Sequence, residues 1–257
     1  MKLLLWSEWT KLRTTRQPLW LGLLVLAVTV GYAVLLGIWK SGSGTDGQPV
    51  YLDNWMALGG IVGGQGLPGV GLAVFMIVGA LSVAQEYRTG MIQLTYAATP
   101  RRIPVLAAKG LVYGLACAAY SFVLTVVAEY SLKWSTGVDG SRIGFGGNAN
   151  PLWVVPAVMF LAVVFAVGLG ALVRNSAAVA VLILVWAGGA ENLALFAGDN
   201  TGAVIRKLLP FANEQNAVTD GIGALAWSSP WLSILVFAAW AAGMGLLGAA
   251  TLAARDV

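Results

Sequence analysis

Six long apolar runs divide this chain, and they constrain its fold more than any other feature of the sequence. They cover residues 18–38, 67–84, 110–128, 152–173, 177–197 and 231–254. A helix needs about 20 mostly apolar residues to cross the roughly 30 Å hydrocarbon core of a membrane. The runs do not alternate between apolar and polar residues as barrel strands do. The sequence therefore predicts an all-α integral membrane protein with six transmembrane helices.

The composition leaves little room for a soluble domain. Only 10% of the residues are charged, whereas a soluble domain carries about 25%. No polar stretch reaches the roughly 50 residues of a small independent domain. Residues 1–257 are therefore predicted to form one transmembrane domain.

Lysine and arginine are unequally divided between the two sides that six spans define. Of the 15 basic residues, ten lie on the side that holds both termini and the 85–109 loop, and five lie on the other side. Cytoplasmic loops of membrane proteins carry such an excess of lysine and arginine. Both termini are therefore predicted to face the cytoplasm, in a bacterial cytoplasmic membrane. The same asymmetry explains the isoelectric point of about 9.3, so no nucleic-acid partner is expected.

The N-terminal residues 1–17 have the pattern of a helix that lies in the inner membrane surface. Its predicted apolar face carries tryptophans, and basic residues lie beside them, as in interfacial helices. The tryptophans and leucine of this face are Trp6, Trp9 and Leu12, and the basic residues are Lys11, Arg13 and Arg16. The alternative is a plain polar extension of the first span.

The residue inventory excludes several kinds of chemistry. The chain contains no histidine, which excludes Ser–His–Asp and Cys–His catalysis and histidine metal sites. Its one cysteine, Cys117, cannot form an intramolecular disulfide. No phosphate-binding GxxxxGK[ST] loop occurs, and the glycine-rich residues 59–71 lack its lysine. We therefore expect no catalytic site, metal or cofactor in this chain, and interpret residues 59–71 as a flexible or broken start to the second span.

The loop between the second and third spans begins with QEYRTGMIQLTYAATPRR, residues 85–102. A helix through Glu86 and Arg88 is predicted to end at Gly90, since glycine suits a left-handed helix terminus. Thr99–Pro100 ends the next short segment, because the residue before proline avoids the α region. The apolar residues of that segment include Met91, Ile92 and Leu94, and Arg101 and Arg102 start the next helix. This pattern predicts a short docking helix on the membrane surface; an ordinary basic connector is the alternative.

This loop resembles the first cytoplasmic loop of the ABC type-2 permeases, the membrane subunits of ATP-binding-cassette exporters. That family shows an E-[YF]-R-x-G-[TM]-[IL] run, then a T-P-x-x-R or T-P-R-R element and a lysine that opens the next span. The matching positions are Glu86, Tyr87, Arg88, Gly90, Met91, Ile92, Thr99, Pro100, Arg101, Arg102 and Lys109. The family's N-terminal helix is matched at Glu8, Lys11, Leu12, Arg13 and Arg16.

The resemblance implies partners that the residues alone do not. Two permease copies would pair, as a homodimer or with a paralogue, among the membrane lipids. Each copy would dock a separate ATPase subunit through the 85–109 coupling loop, and that subunit would bind ATP and Mg. Residues 198–230 would form a re-entrant hairpin on the outer side, for which a plain outer loop is the alternative.

The resemblance also suggests where cargo passes, because the second and fifth spans of the family line the path. The candidate pathway residues are Phe75, Met76, Trp186, Glu191 and Asn192. For Glu191 the alternative is an interfacial carboxylate in water. We expect Glu129, at the end of the third span, to reach the outer headgroups.

These features together predict the permease subunit of an exporter that moves a drug, an antibiotic, a peptide or another amphipathic or hydrophobic molecule outward. A lipid or glycolipid exporter of the same family is one alternative. An ion-coupled secondary transporter is another, and it would show acidic residues at midspan and an inverted repeat. An intramembrane enzyme is disfavoured by the absence of histidine and of paired carboxylates within a span.

Overall fold

The computed structural model describes residues 2–42, 58–64, 67–91, 102–136, 151–197, 199–218, 227 and 229–254. The α-helices in these ranges are α1 (Lys2–Thr14), α2 (Arg16–Gly42), α3 (Val70–Arg88), α4 (Arg102–Thr136), α5 (Pro151–Val173), α6 (Ser176–Ala187), α7 (Asp199–Leu208), α8 (Pro210–Val218) and α9 (Pro230–Ala254). A 3-10 helix, Ala190–Ala197, follows α6. The two-residue strands β1 (Gly63–Gly64) and β2 (Leu67–Pro68) pair antiparallel.

Five of the helices, α2, α3, α4, α5 and α9, are long enough and apolar enough to cross a membrane. This is the all-α, multi-pass architecture that the apolar runs predict. The helices are longer than several of the apolar runs. The third run covers residues 110–128, whereas α4 extends from Arg102 to Thr136, because helical hydrogen bonding continues beyond the apolar window.

The fifth apolar run differs most from its prediction as one continuous span. Its α-helical part, α6, has 12 residues, which corresponds to about 18 Å and is shorter than the hydrocarbon core. Gly188 caps this helix, and Gly189 has a φ of 130° that side chains other than glycine avoid. The backbone then continues as the 3-10 helix. The glycine pair therefore interrupts a segment whose apolar composition continues.

Helix α5 lies at the centre of the bundle and packs against α3, α4 and α9. Its small residues permit close helix contacts, as in other membrane bundles. A Cβ atom at Gly168 would lie 2.5 Å from the carbonyl oxygen of Met244 in α9, and Ala171 packs beside Gly248. The contacts advance in the same direction along both helices, so α5 and α9 run parallel.

Helices α2 and α4 also run parallel. Gly22 lies beside Tyr120 near one end of the pair, and Gly37 lies beside Ser135 near the other end. The hydroxyl of Tyr120 donates to the carbonyl of Gly22 at 2.9 Å. Helix α3 connects this pair in sequence, as a return crossing would.

Residues 58–64 and 67–69 precede α3, where the sequence predicts a flexible or broken start of the second span at residues 59–71. Ile61 is fully buried, and its carbonyl accepts a 2.8 Å hydrogen bond from the backbone N–H of Leu72. The N–H of Gly71 donates to the carbonyl of Gly60 at 3.2 Å. These bonds satisfy the first backbone donors of α3, so non-helical backbone is buried against protein, where a membrane fold tolerates it.

Candidate functional site

Helix α1 turns a charged residue toward the bundle. Glu8 is only 2% exposed, whereas Trp6 is 71% and Trp9 40% exposed. The predicted apolar face of this helix contains Trp6, Trp9 and Leu12 but not Glu8. The structure instead buries Glu8 and directs the two tryptophans away from the protein, because the inner face of α1 meets a buried lysine.

Four charged residues meet at the ends of three helices, and we call them the charge cluster: Glu8 and Lys11 of α1, Glu86 of α3 and Lys109 of α4. Lys109 Nζ lies 2.9 Å from Glu8 Oε2 and 2.8 Å from Glu86 Oε1. Lys11 Nζ lies 2.6 Å from Glu8 Oε1 and 2.8 Å from Glu86 Oε1. Two carboxylates and two ammonium groups therefore form one neutral network.

Hydrogen bonding within the charge cluster is nearly complete. Lys109 uses all three ammonium donors, the third on the carbonyl oxygen of Ser82 at 3.1 Å. Each carboxylate oxygen of Glu8 accepts a hydrogen bond from a lysine, Oε1 from Lys11 and Oε2 from Lys109. Oε2 of Glu86 is the exception: it is buried and has no hydrogen-bond partner within the described part of the chain. This oxygen therefore keeps a free acceptor beside the start of the predicted docking loop.

The electrostatics of Lys11 show how strongly the network holds its charges. Burial lowers the pKa of Lys11, but the hydrogen bonds and charges of Glu8 and Glu86 outweigh burial. The pKa of Lys11 is therefore raised above its ordinary value, and the ammonium form is maintained at neutral pH.

Helix α3 ends where the sequence predicts, immediately after the charge cluster. The last helical residue is Arg88, Thr89 follows as the cap, and the N–H of Thr89 donates to the carbonyl of Gln85 at 3.0 Å. Gly90 has a φ of 71°, which confirms the predicted left-handed conformation. A Cβ atom at Gly90 would meet no other atom within 4 Å, so only backbone conformation disfavours a larger residue there.

Substitutions at Gly90 should separate backbone conformation from steric bulk. Gly90→Asn should keep the thermal unfolding midpoint of the detergent-solubilised protein close to that of the unmodified protein, because asparagine adopts left-handed conformations readily. Gly90→Val should lower the midpoint, because left-handed geometry costs an L-residue roughly 1–2 kcal/mol and a β-branched side chain more. Equal midpoints for the two variants would show that the backbone conformation at Gly90 does not affect stability.

Tyr87 joins the same helix end to another part of the bundle. The guanidinium carbon of Arg174 lies 4.8 Å from the centre of the Tyr87 ring, within range of a cation–π contact. Arg174 occupies the turn between α5 and α6 with a φ of 55°, and its Nε and Nη2 atoms have no hydrogen-bond partner among the described residues. Glu86 and Tyr87, adjacent in sequence, therefore contact different parts of the bundle: Glu86 contacts α1 and α4, and Tyr87 contacts the turn between α5 and α6.

The remaining predicted coupling residues are only partly described. Arg88 and Met91 are exposed, and α4 begins at Arg102. The others lie outside the described residues: Ile92, Leu94, Thr99, Pro100 and Arg101. Helix α4 nevertheless starts just after Pro100, as predicted.

The predicted pathway residues do not lie together. Phe75 packs edge-on against Tyr120 of α4, with ring centres 6.0 Å apart, and Met76 is fully buried. Trp186 belongs to a different group and contacts the rings of Phe165, Phe211 and Trp240. The side chain of Asn192 is not among those that the structure describes.

Glu191 is buried at 8% exposure, which contradicts its alternative interpretation as a carboxylate in water. It accepts hydrogen bonds from the indole N–H of Trp186 at 2.9 Å and from the backbone N–H groups of Phe211 and Ala212 at 3.2 and 2.7 Å. A carboxylate at a helix N-terminus satisfies free donors and complements the helix dipole. Glu191 thus fixes the start of α8.

Two further carboxylates are buried where sequence analysis did not expect them. The expectation that Glu129 reaches outer headgroups is wrong, because it is 2% exposed and both its oxygens lack a partner among the described residues. Helix α4 continues beyond Glu129 to Thr136, which keeps this side chain inside the bundle. Glu214 is 1% exposed, and its Oε1 likewise has no partner among them.

Sequence analysis matched Glu8 and Lys109 to a family pattern but did not predict that they meet. The only local signal was the i, i+3 spacing of Glu8 and Lys11, which puts them on one helical face. No comparable spacing of charged residues in the sequence indicated the positions of Arg174 and Glu214.

Comparisons with known proteins do not assign the chain to a family. No protein-family model matches it, and no curated protein matches it significantly. Within the described ranges, no group of three or more Cys, His, Asp or Glu side chains could hold a metal ion.

Proposed function

We propose that this chain is the permease subunit of an ATP-binding-cassette exporter in a bacterial cytoplasmic membrane. It acts as a dimer, and a separate ATPase subunit supplies the energy from ATP and Mg. The cargo is an amphipathic or hydrophobic molecule such as a drug, an antibiotic or a peptide; a lipid or glycolipid is the alternative cargo. The charge cluster carries this proposal, since it joins three helices at the base of the predicted docking loop.

The cluster provides a physical route for coupling. The loop begins after α3 and ends at α4, and Lys109 binds Glu86 of α3 as well as Glu8 of α1. A force on the loop therefore acts on a base of three helices held by short ionic hydrogen bonds, which are stronger than neutral ones. The neighbouring Tyr87–Arg174 contact extends this base to the turn between α5 and α6. Docking at one loop is thereby linked to most of the bundle.

We propose six crossings, and the helix directions support this number. Because α5 and α9 run parallel, the chain between Val173 and Pro230 has to return to the side on which α5 begins. Helix α6, the 3-10 helix, α7 and α8 are available for this return, and their broken form suits the proposed re-entrant outer hairpin. The N- and C-termini then lie on the same side of the membrane, the cytoplasmic side by the distribution of basic residues.

Labelling tests the orientation on which docking depends. In a Cys117→Ala background, single cysteines at Ser43, Ser141 or Thr219 should react with an impermeant thiol reagent added to intact cells. A cysteine at Thr99 should react only after permeabilisation. Labelling at Thr99 in intact cells would place the loop outside and contradict the proposal.

Purification tests the partner. The tagged protein, extracted from its native membrane in mild detergent, should retain an ATP-hydrolysing subunit whose sequence contains a phosphate-binding loop. Mass spectrometry identifies that subunit, and reconstituted vesicles should transport cargo only when ATP is present on the side of the loop. Transport by the purified chain alone would contradict the proposal.

A secondary transporter is the second candidate, and buried Glu129 favours it. A carboxylate without hydrogen-bond partners inside a membrane helix is typical of proton- or ion-coupled carriers. If this candidate is right, an imposed proton gradient should drive transport without ATP, and Glu129→Gln should abolish it. The exporter proposal expects no gradient-driven transport from either protein.

A further inference from the structure

A groove of about 510 Å³ opens between the α1–α2 junction, α3 and α4. This volume lies within the roughly 300–1,000 Å³ range of small-molecule sites. Its inner wall includes Phe75 and Cys117, which are buried, and its open side includes Leu19 and Leu23, which are more than half exposed. The groove thus faces outward from the bundle at membrane depth.

Its deep end lies about one leaflet's thickness from the charge cluster. Along α4 the groove reaches Tyr120, which lies about 16 Å beyond Lys109 of the charge cluster at 1.5 Å per residue. Half of a hydrocarbon core is about 15 Å. With the charge cluster at the membrane surface, Tyr120 therefore lies near the middle of the bilayer, whereas Leu12 and Arg13 line the groove on the side of the charge cluster.

The polarity of the groove changes along this length. Among the described residues, Arg13 is the only charged one that lines the groove. Its side chain is exposed and makes no ion pair with them. At the deep end, the Tyr120 hydroxyl already donates to the Gly22 carbonyl. The groove thus offers one cation at the membrane surface and an apolar channel below it.

We propose that this groove binds an anionic phospholipid from the leaflet on the side of the charge cluster. One acyl chain lies along Phe75, Val78 and Cys117, and the phosphate contacts the guanidinium of Arg13. Arginine pairs with phosphate through two parallel hydrogen bonds, which selects an anionic headgroup over a zwitterionic one. Phe75 is also a predicted pathway residue, but this inference is drawn from the shape of the groove and the position of Arg13 alone, so it does not rest on the proposed function.

Photo-cross-linking tests the site in vesicles of phosphatidylcholine that contain a small fraction of a phospholipid with a diazirine in its acyl chain. Phosphatidylglycerol carrying the probe should label α3 and α4 peptides that contain Phe75 and Cys117, and phosphatidylcholine carrying it should label them less. Arg13→Gln should reduce labelling by phosphatidylglycerol about fivefold, since one basic residue near an anionic surface contributes about 1 kcal/mol. Labelling by phosphatidylcholine should not change.

Control variants carry similar substitutions at positions that do not line the groove. Arg16→Gln removes a neighbouring arginine that does not line the groove and should leave labelling unchanged. Ala116→Phe fills the groove and should reduce labelling by both lipids, whereas Leu115→Phe, at an exposed position of α4 outside it, should not. Equal labelling by the two lipids that is insensitive to Arg13→Gln would overturn the proposal. So would cross-linking of Cys117 between two copies by a short bis-maleimide, since a second copy would then cover the groove.

Discussion

Replacement of Lys109 by methionine should strongly destabilise the protein. The side chain is 2% exposed and binds two carboxylates, so its loss leaves Glu8 and Glu86 buried with one shared lysine. Removing one partner from a buried ion pair typically costs about 3–5 kcal/mol. We expect a large fall in the thermal unfolding midpoint of the detergent-solubilised protein. Lys2→Met, at an exposed lysine on α1, should leave the midpoint unchanged.

A compensating change distinguishes the structural role of the charge cluster from its role in coupling. Lys109→Met combined with Glu86→Gln leaves the ion pair between Glu8 and Lys11, which has no net charge. It also removes the Glu86 carboxylate, which would otherwise be buried without Lys109. Replacing buried ionic groups in balanced sets is often close to neutral for stability. The double variant should therefore recover most of the lost midpoint but little transport, because α3 and α4 are no longer joined by an ion pair. If Lys109→Met melts like the unmodified protein, the cluster is not the structural base of the loop.

For the proposed exporter subunit, a pair of charges placed in the predicted docking helix should abolish transport. Both positions, Ile92 and Leu94, lie outside the described residues, so this prediction rests on their apolar character between two basic turns. Burying an isoleucine or leucine side chain at an interface contributes roughly 1.5–3 kcal/mol, and an aspartate there adds a desolvation penalty. Ile92→Asp with Leu94→Asp should therefore release the ATPase subunit in mild detergent and reduce transport to background.

The control for this variant carries the same added charge. Gln93→Asp with Thr95→Asp introduces two carboxylates at neighbouring polar positions and should retain a larger share of both transport and ATPase recovery. Both variants should insert normally, since neither changes a membrane helix. Full transport by the Ile92 and Leu94 variant would show that the loop is a connector, even if the chain proves to be an exporter subunit.

The sequence predicts those features of the helices that depend only on neighbouring residues. The apolar runs locate α2, α3, α4, α5 and α9, since a segment that buries its backbone in lipid has to be apolar along its whole length. Backbone conformation is equally local. Gly90 takes up the left-handed geometry expected at the end of α3, and α4 starts at Arg102, two positions after Pro100. Composition was not sufficient for α6, whose glycine pair breaks the helix inside an apolar run.

The sequence by itself determined which segments are helical and apolar and where a basic loop separates them. Only the tertiary structure decided which charges meet, because Glu8 and Lys109 lie 101 positions apart and come together only when α1 packs against α4. The same holds for Glu129 and Glu191: position in a span estimates membrane depth, but neighbouring helices determine burial. Each residue of a membrane helix meets the apolar surroundings by its own side chain, so the pattern can be read locally. A buried ion pair instead requires two residues that are distant in sequence to lie within about 3 Å of each other. That distance is set by helix packing.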